Sequence, residues 1–215
     1  SCRQSASMDL PRPAPPPPSM RQVKPARAGG PLGRTAGQGY MPPMSPLALT
    51  MGEPAGIGGE IAAGAWHALR ATGPAFFLID DATRLGGAPL RVIDAPERAA
   101  AAFAEALPVL HRPLPRPATP GRPDPANAPA VIAAIEEAVA LARAGRAAGV
   151  VTNPIQKSML TAAGFPHPGH TEFLGQLAGT GVPPVMMLAS PDLRVVPVTV
   201  HEPLRAAIAR LTTDM

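Results

Sequence analysis

Two histidines three residues apart, His167 and His170, stand in the segment GFPHPGHTEF (164–173), beside Thr171, Glu172, two prolines and two glycines. Imidazoles at that spacing can share a metal ion from one face of a helix, but Pro166 and Pro168 forbid a regular helix across the pair. A stiff loop in which a single ring donates to an anionic ligand fits these residue types better than a metal site. Three other polar clusters invite the same question. GEPAGIGGE (52–60) carries glycines at 52, 56, 58 and 59, but matches neither the dinucleotide nor the P-loop fingerprint. It reads equally as a tight strand-to-helix turn or as a loop whose backbone N–H groups approach a phosphate or carboxylate. TNPIQK (152–157) places Lys157 on the first turn of a helix, as a site residue or as a solvated lysine. His201 closes an apolar run, whereas His67 and His111 are expected to be structural or solvated.

Elements positioning these clusters follow from the apolar pattern. Continuous apolar runs predict strands at 47–51, 75–80, 90–94, 108–111, 148–152, 185–190 and 193–200. Between them lie helical stretches, the clearest running from Pro129 to Arg143. There Val131, Ile132, Ile135 and Val139 share a face, Asn127 is a candidate N-cap and Gly145 a candidate C′ residue. Alanine-rich APERAAAAFAEAL reads as a further helix. Six prolines make 112–126 a loop. Alternating strands and helices imply an α/β protein, in α/β/α layers with a mainly parallel sheet. In such sheets ligands bind beyond the carboxyl ends of the strands, and three of the polar clusters follow predicted strands.

Composition narrows the functional classes. Of the net charge of +4, residues 1–46 hold +5 and the remainder −1, so the high pI belongs to the proline-rich beginning and does not argue for a nucleic-acid-binding domain. Residues 1–45 hold runs such as PRPAPPPPS and are expected to be disordered. The single cysteine, Cys2, allows no internal disulfide and no cysteine-based zinc cluster, in keeping with a cytoplasmic protein. No apolar run is expected to reach the 18 or so residues of a membrane span.

Taken in order, GEPAGIG, TNPIQK, GHTEF, VMMLASPDLRV and VTVHEPLRAAI resemble the 4-hydroxythreonine-4-phosphate dehydrogenase family of vitamin B6 biosynthesis, over about residues 46–215. The resemblance implies an isocitrate/isopropylmalate-dehydrogenase-like fold, a homodimer, NAD or NADP as cofactor, and a divalent metal such as zinc, magnesium or cobalt. It implies oxidation and decarboxylation of 4-phosphooxy-threonine to 3-amino-2-oxopropyl phosphate. On that pattern His170 and Thr171 contact substrate, His201 is one of three metal-ligating histidines, and His167 matches no ligand. The expected role of Glu172 is to cap or brace its loop. Asn153 departs from the pattern, which has glycine at that position of TNP. The chain is expected to be truncated: 46–215 matches the N-terminal part of the catalytic fold, and this segment alone is expected to be inactive. Alternative readings are a dehydrogenase of another phosphorylated hydroxy acid, such as 4-phosphothreonate, and a non-catalytic module. Neither nucleic acid nor membrane is an expected partner.

Overall fold

The computed structural model describes residues 45–200 and 202–212. The expected disordered tail, Ser45 apart, and His201 lie outside the described residues. Five parallel strands form the main sheet: β1 (Leu47–Thr50), β2 (Phe76–Asp80), β3 (Leu90–Ile93), β4 (Leu107–His111) and β5 (Val150–Val151), in the spatial order β3-β4-β2-β1-β5. Four lie within about a residue of the predicted spans. The fifth keeps only two residues of the run at 148–152.

Alternation along the strands divides the core in two. Leu49, Phe76, Leu78, Leu107 and Val109 face α1 (Gly58–Leu69) and α2 (Ala99–Phe103), where Trp66 and Phe103 fill the layer. The Trp66 indole N–H, buried with its ring, donates to the Phe103 carbonyl at 2.7 Å. Ala48, Phe77, Ile79 and Leu110 face the opposite layer: α3 (Ala128–Arg143), α4 (Lys157–Ala162) and α5 (His170–Ala178). Sequence and structure therefore agree on three α/β/α layers around a parallel sheet.

The differences are local. Only a 3-10 turn (Pro96–Arg98) and the five-residue α2 form from the expected helix in APERAAAAFAEAL. Asn127 adjoins α3 but does not cap it with its side chain, whose Oδ1 instead accepts from the Arg116 amide at 3.0 Å. The helical run 125–143 is 19 residues with a mean hydropathy of 1.2, long and apolar enough to cross a membrane, contrary to expectation. In this fold its apolar stripe of Val131, Ala134, Ile135 and Ala138 packs on the sheet. The runs at 185–190 and 193–200 do not join the main sheet. They contribute the two-residue strands β6 (Leu188–Ala189) and β7 (Arg194–Val195), paired antiparallel as a separate sheet, before α6 (Leu204–Arg210). Both runs are apolar enough for a core strand, but hydropathy carries no information about which strand will pair with them.

Candidate active site

Strand order decides where a ligand can bind. From β1 the chain crosses to β2 on one side, and from β4 it crosses back past β1 to β5 on the other. After β1 the chain enters α1 on one face of the sheet and after β5 it enters α4 on the other, so the carboxyl ends of these neighbours flank a topological switch point, the usual place for a ligand crevice. GEPAGIG leaves β1 there, and TNPIQK leaves β5.

The two loops are fastened together. The Glu53 amide donates to the Pro154 carbonyl at 2.8 Å, and the Asn153 side-chain amide donates to the Gly58 carbonyl at 3.2 Å. The backbone N–H of Asn153 reaches the Thr50 hydroxyl at 3.4 Å, with both residues buried. Gly52 has φ +68, and a β-carbon there would lie 2.6 Å from the Pro154 carbonyl oxygen and 2.8 Å from Cβ of Asn153. Glycine is thus required twice over, by conformation and by space. Asn153 forms part of this junction through both its backbone and its side chain.

TNPIQK continues into α4, whose first residue, Lys157, brings the third cluster in. A β-carbon at Gly169 would lie 3.7 Å from the Lys157 ammonium and 3.5 Å from Oε2 of Glu172. Gly169 precedes α5 in an extended conformation, with no side-chain cap on the helix. The first amides of α5 therefore retain their donors and the positive end of the helix dipole. His170 and Thr171 are its first two residues. Nε2 of His170 is buried without a hydrogen-bond partner among the described residues, and Thr171 is exposed. Burial, aided by the nearby Lys157 cation, holds the His170 pKa below its ordinary value.

His167 lies outside the helix, 5.1 Å from each of the rings of Phe165 and Phe173 and roughly parallel to the latter. The two histidines of HPGH are thus separated by environment, one in an aromatic cluster and one at a helix start. No hydrogen bond among the described residues involves the Glu172 carboxylate, so its expected capping role is not realised. His111 accepts from the Ala82 amide at 3.1 Å, and His67 is 2.9 Å from the Gly87 carbonyl.

Sequence reasoning passed over Asp80 and Arg84. Asp80 ends β2 fully buried, and its carboxylate accepts from Nε of Arg84 at 2.7 Å and Nη2 at 2.6 Å. Arg84 also donates to the Pro54 carbonyl at 2.8 Å and reaches that of Met51 at 3.5 Å. Burial pushes the Asp80 pKa up to about 6 in spite of the guanidinium. The available signal was an acid and a base four residues apart at the end of a fully apolar strand.

Among the described residues no three His, Cys, Asp or Glu side chains come together as metal ligands. They do not make a metal site by themselves.

The family model for "Pyridoxal phosphate biosynthetic protein PdxA" matches residues 71–215. The chain belongs to this family. Among PdxA relatives, the 4-hydroxythreonine-4-phosphate dehydrogenase of Bradyrhizobium diazoefficiens is 49% identical over 189 residues, covering 79% of this chain and 55% of that protein. The crystal structure of the Klebsiella pneumoniae 4-hydroxythreonine-4-phosphate dehydrogenase superposes with a TM-score of 0.65 at 31% identity, over 78% of this chain and 54% of that one. A terephthalate 1,2-cis-dihydrodiol dehydrogenase from Burkholderia xenovorans superposes with a TM-score of 0.56 at 26% identity, over 79% of this chain and 52% of that one. The chain spans about half the length of the curated PdxA relatives it matches.

Proposed function

We propose that the described residues form the substrate-orienting part of a 4-hydroxythreonine-4-phosphate dehydrogenase, acting in NAD(P)-dependent oxidation and decarboxylation of 4-phosphooxy-threonine. The observation that carries this reading is the buried, unpartnered Nε2 of His170 at the uncapped start of α5, beside Lys157. These are hydrogen-bond donors and a cation gathered at a helix start, with Glu172 the neighbouring carboxylate, and the donors suit the anionic groups of a phosphorylated amino acid. His170, neutral near pH 7, offers one N–H; Thr171 offers a hydroxyl; the free amides of α5 and the Lys157 ammonium favour an anionic group. Together they fix the substrate's orientation, which lowers the barrier by removing its freedom in advance. When bound, the nicotinamide accepts the hydride. His201 is proposed as one ligand of a divalent metal whose other ligands are not among the described residues. The protein is proposed to act as a cytoplasmic homodimer.

Charge-assisted hydrogen bonds contribute roughly 1.5–3 kcal/mol. In a version of the protein with the full length of its relatives, His170→Ala is therefore expected to lower kcat/KM for 4-phosphooxy-threonine about ten- to a hundredfold, while His167→Ala leaves it near wild type. Steady-state kinetics on both variants checks this; the reverse pattern sinks the assignment. Likeness to the cis-dihydrodiol dehydrogenase favours a second reading, oxidation of another hydroxylated anion. Comparing kcat/KM for 4-phosphooxy-threonine, 4-phosphothreonate and an aromatic cis-dihydrodiol carboxylate separates the two.

A further inference from the structure

We infer that Arg84, oriented by Asp80, is a positioning residue that fixes the glycine loop of the site. This rests on the proposed reading that GEPAGIG and TNPIQK line the substrate crevice. A guanidinium presents five donors in a rigid fork. Here one edge is spent on the Asp80 carboxylate at 2.6 and 2.7 Å, which leaves the remaining donors aimed at the carbonyls of Pro54, at 2.8 Å, and Met51, at 3.5 Å. Both carbonyls belong to the segment between β1 and α1, which has no strand partner of its own. The same segment is tied from the other loop through Glu53 to Pro154 and through Gly58 to Asn153. GEPAGIG is thus held between Arg84 and the residues that lead to Lys157.

Stability alone is a weak reason for this arrangement. The Asp80 side chain is 0% exposed and that of Arg84 11% exposed. Desolvating such a pair costs about as much as the attraction returns, and apolar replacements of like volume are often neutral or better. A salt bridge also needs only one edge of the fork. The two further bonds to the loop use the spread of the fork, with Nη1 on Pro54 and Nη2 on Met51; lysine keeps the charge opposite Asp80, but its three donors diverge from one nitrogen and do not reproduce that reach.

The test compares Arg84→Lys with Arg84→Met. In the 215-residue chain at neutral pH, Arg84→Lys is expected to keep the melting temperature within about 3 °C of wild type. Amide hydrogen exchange in peptides covering 51–58 should rise about tenfold or more, while peptides from β2 and α3 stay unchanged. Arg84→Met should accelerate the same peptides and also lower the melting temperature. In the catalytically complete protein, Arg84→Lys should lower kcat about tenfold without a matching rise in KM. Wild-type exchange at 51–58 in Arg84→Lys overturns the inference, and so does acceleration spread evenly over the sheet, which marks a purely structural ion pair. Exchange requires no turnover, so it judges the clamp even if the wild-type enzyme proves inactive on 4-phosphooxy-threonine; that result would overturn only the proposed reaction.

Discussion

Burial and the Lys157 ammonium both oppose a second proton on His170. A histidine in an unfolded chain titrates near 6.5, and the folded ring titrates below that. On acidification the unfolded chain therefore takes up the proton first, so His170 contributes stability above about pH 6.5 that is lost as pH falls from there through the lowered value. Lys157→Met removes the smaller of the two causes and leaves burial in place. The His170 pKa is expected to rise, yet stay below its ordinary value. A titration of its ring proton by NMR, assigned with His170→Gln, checks this; an unchanged pKa would show that the lysine does not reach the ring. An anion brought to the site reverses the balance, because it offsets the lysine and favours protonation.

At the scale of the elements, the junction between the β1 and β5 loops turns on Gly52. An alanine there meets two obstacles, the left-handed backbone and the Pro154 carbonyl 2.6 Å from its methyl. Gly121, φ +73, has nothing within 4 Å of a built β-carbon and isolates the first obstacle. Gly121→Ala is expected to cost about 1 kcal/mol, and Gly52→Ala about 2–4 kcal/mol, since overpacking adds its own penalty. Urea midpoints at constant slope measure both; equal losses would mean the loop yields to the methyl.

These elements were legible to different degrees, for physical reasons. The strands β1, β2 and β4 are almost wholly apolar runs and could be read directly, whereas β3 carries Arg91 inside it and is half exposed. The loops at the switch point stood out because glycines, prolines and a lysine cluster directly after apolar strands, as GEPAGIGGE and TNPIQK. Arg84 did not stand out. Its role depends on carbonyls thirty or so residues away, and a backbone acceptor leaves no mark on a sequence. The partnership of Asn153 with Gly58 was hidden in the same way. Strands β6 and β7 fall inside their predicted runs but keep only two residues each and pair with one another, since apolar residues signal that something must cover them but not what.

For the whole molecule that last point has a measurable side. Among the described residues sixteen large apolar side chains are exposed, and twelve of them lie between Val182 and Leu211. Val185 is 75% exposed, Leu188 61% and Leu204 77%. Exposed apolar side chains this dense along one stretch of chain favour association. At micromolar concentration the 215-residue chain is expected to sediment as species larger than a monomer and to bind an apolar dye. The double change Val185→Lys with Leu188→Glu should reduce both. A monodisperse, dye-silent monomer in analytical ultracentrifugation would refute this.

Placing β1 between β2 and β5 also orders events in time. Leu47 meets Phe76 across the first pairing, but Thr50 and Asn153, 103 residues apart, meet across the second. Closing the longer loop costs roughly 1 kcal/mol more in chain entropy, and β5 brings only two residues to repay it. Contacts of such range form late in folding. On the ribosome, with the chain emerging from its N-terminus, the β1 loop must wait for about a hundred further residues before the other wall of its crevice exists.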